Sequence, residues 1–278
     1  MKGRAGIEVE FWGVRGTVPV SGRNYLEFGG RTSCACITDS SGERLIIDAG
    51  TGLHSLGGEL ARGKEPRLLR LHILLTHFHL DHIIGIPFFP PLFSGDTEII
   101  FYSFTEPEMT QRNLRRLMSG AFFPVKFKET AAKKAFKKVS QKGFRIGDIK
   151  ITSCPLVHPQ GSVAYKLEKN GRSVVFATDT EHPGTGMDER LVDFVQGAAC
   201  LVYDAMFTPQ EYDSGRRGWG HSTWLEGTRI ARRSGVQKLL LSHMNPDHSD
   251  TRVRAIRRLA QKEFPGSDCA REGMRLKF

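Results

Sequence analysis

No stretch of this 278-residue sequence approaches the ~18 consecutive apolar residues that would cross a membrane as a helix. Its opening, MKGRAGIEVEFWGVRG, carries charge at both ends of a short segment and lacks the apolar region of about 7–15 residues that a secretory leader needs. A cytoplasmic protein with no membrane partner is expected. Low-complexity tracts, long linkers and short-period repeats are absent too, which leaves a folded globular chain. The five cysteines, Cys34, Cys36, Cys154, Cys200 and Cys269, are odd in number and scattered, mostly through apolar runs. That excludes a disulfide framework and reads as reduced packing thiols, none of them a candidate nucleophile. With 39% hydrophobic and 25% charged residues the composition is that of a soluble globular protein, and a single domain over residues 1–278 is expected.

The net charge of +10 favours an anionic partner, because a positive field concentrates polyanions and steers their encounter, without saying which anion. Basic residues gather between Lys126 and Lys150. In AAKKAFKKV the spacing predicts a helix that sets Ala and Phe against a face of Lys133, Lys134, Lys137 and Lys138, either a solvated amphipathic helix or a nucleic-acid contact.

The remaining pattern alternates strands and helices. Strands are predicted at Ile7–Trp12, Cys34–Asp39, Arg44–Asp48, Leu71–Thr76, Glu98–Ser103, Ile149–Val157, Ser162–Glu168, Ser173–Thr178, Ala199–Asp204 and Lys238–Ser242, all rich in β-branched and apolar residues. Asn170-Gly171 marks a hairpin turn. Helices are predicted at Thr51–Ala61, Pro107–Met118, Asp188–Gln196, Thr223–Ser234 and Ser249–Glu263, and TWLE at Thr223 has the pattern of a capping box.

Polar residues gather where these strands end. Asp48 ends one, THFHLDH follows another, His158 follows a third, and Asp179, Asp204 and His243 close three more. Rigid strands that deliver His and Asp to one edge are how α/β scaffolds assemble a site. THFHLDH, from Thr76 to His82, puts four potential ligands within six residues directly after the apolar strand LHILL. His77 and His79, two apart in an extended loop, can face one cation, while Asp81 and His82 at the start of the next helix can turn toward a second. Imidazole nitrogen and carboxylate oxygen suit zinc at roughly 2.0–2.2 Å, with manganese or iron also compatible.

THFHLDH resembles the HxHxDH signature of the metallo-β-lactamase superfamily, and DAGTGL at Asp48, LVHP at His158, FATDT at Asp179 and LLLSHMNP at His243 follow in that family's order. The resemblance spans nearly the whole chain. It implies an αββα sandwich, two mixed β-sheets flanked by helices, with two divalent metal ions at one edge. It further implies that His77, His79 and His158 hold the first ion, that Asp81, His82 and His243 hold the second, that Asp179 bridges them, and that Asp48 orients a ligand from behind. Two such cations lower the pKa of a shared water so that hydroxide exists near neutral pH, with Asp81 placed to orient it. The full carboxylate set resembles the phosphodiesterase and ribonuclease branches more than true β-lactamases.

LVYDAMF at Leu201, then WGHSTW at Trp219, then LLLSHMNP is an order similar to that of ribonuclease Z, the tRNA 3′-end nuclease. There an acidic residue pairs with the histidine of a GHST-like motif; here the two positions are Asp204 and His221. A histidine held by a carboxylate is oriented and more readily protonated, so it can donate to a leaving alkoxide. The chain departs from ribonuclease Z in having Asp204 where that family usually has Glu, in MNPDHSD after His243, and in lacking a Gly/Pro-rich basic arm. Its start, FWGVRGTVPV through FGGRTSC, resembles a bacterial group of metallo-β-lactamase-fold hydrolases written with GVRGS-P, GGNTS and GHST motifs, with Arg31 where that group has Asn. A phosphodiester substrate, RNA or a small cyclic one, is therefore expected, and family analogy suggests a homodimer. Hydrolysis of a carboxylic ester, thioester or lactone and a non-catalytic metal-bound regulatory module remain the alternatives.

Several other residues admit two readings. Arg15 could bind phosphate in a loop shaped by Gly13 and Gly16, or the glycines could serve a tight turn alone. His248 could contact substrate, or Asp247, His248 and Ser249 could cap the last helix. His54, His72 and His182 read as surface or packing residues, and Cys34 and Cys36 as neighbours on one packed strand face.

Overall fold

The computed structural model describes residues 6–38, 42–62, 68–140 and 142–278. The first half of the chain builds one sheet, from β1 (Glu8–Gly13), β2 (Cys34–Thr38), β3 (Arg44–Ile47), β4 (Leu69–Leu74), β5 (Thr97–Ser103) and β6 (Lys133–Lys138). The second half builds another, from β7 (Phe144–Ile146), β8 (Ile149–Leu156), β9 (Ser162–Lys169), β10 (Arg172–Ala177), β11 (Cys200–Asp204), β12 (Leu239–Ser242) and β13 (Ser267–Cys269). A last strand, β14 (Arg275–Lys277), returns to the first sheet, giving the orders β14-β1-β2-β3-β4-β5-β6 and β13-β12-β11-β10-β9-β8-β7. Both sheets are mixed: β3, β4, β5 and β6 run parallel, as do β10, β11, β12 and β13, while the remaining pairs are antiparallel.

Three apolar layers fix the architecture. Alternate side chains of both sheets, among them Phe11, Ile37 and Leu45 from the first and Val163, Val174 and Val202 from the second, meet in an apolar core between the sheets. On the outer face of the first sheet, Ile46, Ile73 and Phe101 pack on helices α1 (Gly52–Arg62), α2 (Leu80–Ile83) and α3 (Pro107–Leu117). On the outer face of the second, Val175, Leu201 and Leu241 pack on α4 (Glu189–Val195), α6 (Trp224–Ser234) and α7 (Asp250–Glu263); the short α5 (Pro209–Asp213) lies between α4 and α6 in sequence. This is the metallo-β-lactamase αββα sandwich. The strand β12 is buried at all four positions, which is why LLLS reads as a continuous apolar run rather than an alternation. Each such leucine taken from water stabilises the fold by about 1.5–3 kcal/mol.

The long helices begin where their caps dictate. Asp188, Thr223 and Ser249 accept from backbone N–H groups of Leu191, Glu226 and Arg252 and stand just before α4, α6 and α7, so the helices start one residue after the sequence pattern suggests. At Thr223 only this half of a capping box is present: Glu226 Oε2 instead lies 3.4 Å from Arg229. Asn170 and Gly171, with φ of 53° and 77°, turn β9 into β10. The predicted end of the second strand at Asp39 and the first five residues fall outside the described residues.

One element differs in kind. Residues 133–138 form an edge strand, not a helix, paired in parallel with β5 from Glu98↔Lys133 to Ser103↔Lys138. Phe136 stacks on Phe101, with ring centroids 5.7 Å apart, so tertiary pairing decides the conformation. Lysines on such an edge guard it against further strand addition. Among the described residues, no helix is long and apolar enough to cross a membrane.

Candidate metal centre

The strands β3, β4, β8, β10, β11 and β12 deliver the polar residues to one edge, and the backbone turns sharply as it leaves them. Asp48, Asp179 and His243 all adopt left-handed conformations, with φ of 60°, 58° and 55°. So do Thr17 and Gln160, at 65° and 62°. Apart from Asn170 in its hairpin, these are all the non-glycine residues with positive φ among the described residues. Each costs on the order of 1–3 kcal/mol, and such outliers persist where surrounding contacts over-determine them.

Two clusters result. In the first, His77, His79 and His158 bring ring nitrogens together, with His158 Nε2 3.0 Å from His79 Nδ1. Each ring is tied by its other nitrogen. His158 Nδ1 donates to the Gly220 carbonyl at 2.7 Å, His79 Nε2 meets Gln160 Oε1 at 2.9 Å, and His77 Nδ1 meets Thr76 Oγ1 at 3.0 Å. With Nδ1 of His158 and Nε2 of His79 acting as donors to carbonyl oxygens, the inward nitrogens keep their lone pairs. Burial, and then the neighbouring histidines, hold the His77 imidazole well below the usual histidine range; burial also lowers His158.

In the second cluster, Asp81, His82, Asp179 and His243 are all buried. His82 Nε2 lies 3.2 Å from Asp81 Oδ2, Asp179 Oδ2 and His243 Nε2 alike, and His243 Nε2 lies 3.1 Å from Asp81 and 3.3 Å from Asp179 Oδ1. Behind it, Asp48 Oδ2 accepts from His82 Nδ1 at 2.8 Å, while Oδ1 accepts from the Thr76 backbone N–H at 2.8 Å. Here burial opposes ionisation, but attraction wins: Asp179, Asp81 and Asp48 raise His82 well above its ordinary pKa. The facing histidines likewise hold Asp81 and Asp179 below the carboxylate range.

The donor set fits divalent cations. His77 Nε2 is buried among these groups without a hydrogen-bond partner. Orphaned polar atoms of this kind cost about 1–3 kcal/mol each unless a ligand takes them up, and imidazole nitrogen with carboxylate oxygen is the chemistry of zinc, manganese or iron sites. His77, His79 and His158 could hold one ion and Asp81, His82 and His243 another, with Asp179, 3.8 Å from His77 Nε2, between them.

His221 stands beside both clusters, its ring 5.0 Å from that of His243 and 5.3 Å from that of His158. Its Nδ1 meets Asp204 Oδ2 at 2.9 Å. Asp204 is fully buried and also accepts from the backbone N–H groups of Asp179, Met206 and Ser222, so its position is fixed from four directions. Burial works against an imidazolium at His221, but Asp204, with Asp179 and Asp81 behind it, lifts its pKa to about 9.

Other singled-out residues stand apart. Arg15 is no phosphate ligand: it is fully buried, donates to the carbonyls of Gly29, Asn245 and His248, and lies 3.9 Å from Asp250. It staples the segment after His243, while a Cβ on Gly16 would come within 2.4 Å of the His243 ring, so that glycine is required by close approach. His248 is buried against Glu211 Oε1 at 2.8 Å, and Ser249 is the cap. His54 meets the Phe88 carbonyl, His72 meets Tyr102 and Glu43, and His182 meets Ser222. Cys34 and Cys36 are buried in one outer layer.

Sequence reasoning missed Gln160, which holds His79, and Thr17, whose backbone N–H donates to Asp81 Oδ2 at 2.8 Å. No residue type flags a backbone donor. For Gln160, the Pro-Gln-Gly turn directly after His158 is the one visible signal.

The ribonuclease Z of Lacticaseibacillus casei is 23% identical over 309 aligned residues, covering 96% of this chain and 93% of its own. YhfI of Bacillus subtilis, a metallo-β-lactamase fold protein, has a TM-score of 0.74 at 22% identity, covering 98% of this chain and 100% of that one. The short form of human tRNase Z has a TM-score of 0.67 at 16% identity, covering 97% and 98%. The Beta-lactamase superfamily domain matches residues 43–244. That span takes in every clustered residue from His77 to His243, and the chain belongs to the β-lactamase superfamily.

Proposed function

We propose that the chain is a metal-dependent phosphodiesterase acting on RNA ends or on a small cyclic phosphodiester. The observation that carries this reading is the Asp204–His221 pair at 2.9 Å on the rim of the two clusters. Expelling an alkoxide requires a proton as the bond breaks, and an oriented, protonated imidazole supplies it; a thiolate leaves without such help. The ribonuclease Z relative supports the same substrate class.

In this reading His77, His79 and His158 would hold one cation and Asp81, His82 and His243 a second, with Asp179 available to both. Bound divalent cations, zinc first among the candidates, would withdraw charge from the phosphodiester and make water acidic enough to attack near neutral pH. Asp81, whose Oδ2 accepts from the Thr17 N–H at 2.8 Å, would orient the attacking water. His221 keeps Nδ1–H on Asp204 and gives the proton on Nε2 to the leaving oxygen as the P–O bond breaks.

The test is metal analysis followed by assay of bis-p-nitrophenyl phosphate against a panel of carboxylic esters, lactones and thioesters. Diester cleavage abolished by a chelator and restored by Zn²⁺ or Mn²⁺ is expected. Metal-loaded protein that cleaves thioesters rapidly and no phosphodiester would move the enzyme to that other chemistry, and inactivity on the whole panel would favour a regulatory module.

A further inference from the structure

We infer that Glu181 is a positioning residue that registers three separate loops of the site and so sets both His158 and His221. It lies two residues after Asp179. Its own backbone N–H donates to the Val157 carbonyl at 2.7 Å, fixing the strand end that carries His158. Its carboxylate then reaches across to the 214–222 loop: Oε1 accepts from the Gly218 N–H at 2.7 Å and Oε2 from the Gly220 N–H at 2.8 Å, while the Tyr212 hydroxyl donates to Oε1 at 2.7 Å. Gly220 closes the circuit, since its carbonyl is the acceptor for His158 Nδ1 at 2.7 Å and its next neighbour is His221.

The same loop is also held by Trp219, which packs edge-on to Phe207, and at its end by the bonds of His221 and Ser222 to Asp204, but its middle is rich in glycine. Gly215, Gly218 and Gly220 all have positive φ, at 111°, 82° and 84°. A Cβ on Gly220 would come within 2.4 Å of His158 Nδ1, so the carbonyl reaches the ring only because no side chain intervenes. A chain this free in the unfolded state is costly to order, and charge-assisted bonds from an ionised carboxylate to two backbone N–H groups are the strong kind that can order it. Glu181 touches no reacting atom; it acts through the Gly220 carbonyl on His158 and through the adjacent peptide on His221.

The test uses the full chain with Glu181→Ala, Glu181→Gln and Tyr212→Phe, and three readouts. Zn²⁺ affinity by competition with a chromophoric chelator should weaken ~10–100-fold in Glu181→Ala, the usual consequence of losing a partner behind a ligand. Trypsin should cut the variant faster after Arg216 or Arg217. The rate ratio of an alkyl to a nitrophenyl phosphodiester, which alone rests on the phosphodiesterase reading, should fall roughly tenfold, part of the ~10²–10⁴ a general acid contributes. Glu181→Gln keeps the volume and one acceptor, so it should lie between, and it carries the test if Glu181→Ala does not fold. Tyr212→Phe leaves both backbone bonds and should match the wild type in all three. Folded Glu181→Ala and Glu181→Gln proteins with wild-type Zn²⁺ affinity and trypsin resistance would overturn the inference. A wild type without diesterase activity would sink the proposed reaction, while the first two readouts would still decide the role of Glu181.

Discussion

The two halves of the site use the same residue types under opposite electrostatic rules. His77, His79 and His158 are tied from behind by uncharged groups, a hydroxyl, an amide oxygen and a carbonyl, and two of the three rings are part-exposed. His82 is tied by the carboxylate of Asp48 and faces Asp81 and Asp179 in full burial. Burial therefore holds His77 and His158 toward the neutral imidazole, while against burial the facing carboxylates hold His82 protonated and the facing histidines hold Asp81 and Asp179 ionised. The difference teaches that a histidine in a cluster is not one chemical object: burial and the carboxylates around its ring decide whether a cation finds a free lone pair or must displace a proton.

The comparison breaks hardest where one ring is removed from each half. His79→Ala and His82→Ala should both reduce diesterase turnover to background, but their metal-free forms should differ. Removing His82 strands Asp48, Asp81 and Asp179 in burial, and breaking a buried ionic network costs about 3–5 kcal/mol; the part-exposed His79 faces other rings and an amide, and its loss should cost far less. Denaturant unfolding of the chelated proteins measures this. Equal destabilisation would dissolve the distinction between the halves.

Next in size is the residue that belongs to neither half. His221→Ala should retain metal and slow an alkyl phosphodiester by ~10²–10⁴-fold, while a nitrophenyl ester, whose leaving group departs without a proton, falls much less. The wild-type rate on the alkyl substrate should fall as pH rises through the pKa of His221. That pKa is about 9 with the site's carboxylates facing it, and lower when cations share the site. Equal loss on both substrates would make His221 a positioning residue.

How much of this was legible in the sequence follows from where each group sits in the chain. THFHLDH, Asp48, His158, Asp179, Asp204 and His243 stand directly at strand ends, and hydrophobic patterning locates strand ends well. The carriers of precision do not. Thr17 acts through its backbone, Gln160 through one amide oxygen, and Arg15 from full burial, where the sequence offered only a charged residue between two glycines. The strand at 133–138 was illegible for another reason: Lys-rich edge strands and solvated helices share composition, and only pairing with β5 separates them.

Asp48→Asn sharpens the contrast at smaller amplitude. Asp48 accepts from Thr76 and from His82 Nδ1, and an amide in its place either turns its NH₂ against the imidazole N–H or gives up the Thr76 bonds. Zn²⁺ affinity at the second cluster should fall ~10–100-fold, with a smaller loss at the first, which meets Asp48 only through the Thr76 hydroxyl behind His77. A stepwise titration with a chromophoric chelator resolves the two; a loss confined to the first cluster would reverse the assignment.

The finest test is the pH dependence of metal uptake. His82 Nε2 faces Asp81, Asp179 and His243 at 3.2 Å each, its ring lies 4.4 Å from that of His77, and Nδ1 faces Asp48 at 2.8 Å. Burial disfavours charge there, but the three carboxylates prevail and the ring stays protonated well above the usual range. In the metal-free protein this proton contributes stability that is fully present below the ordinary histidine pKa of ~6.5 and is lost as pH rises through the raised value. A cation at Nε2 must expel the proton, so its affinity rises about tenfold per pH unit until His82 deprotonates unaided. In the first cluster burial, and then the neighbouring histidines, push His77 and His158 down against the pull of Asp179, so no proton of theirs needs displacing at neutral pH. Zn²⁺ titrations at pH 7 and pH 8 should therefore show a slope near one for His79→Ala, which retains the second cluster, and a much shallower one for His82→Ala, which retains the first. Parallel slopes would mean that the two halves share one protonation state, and the contrast between them would fail.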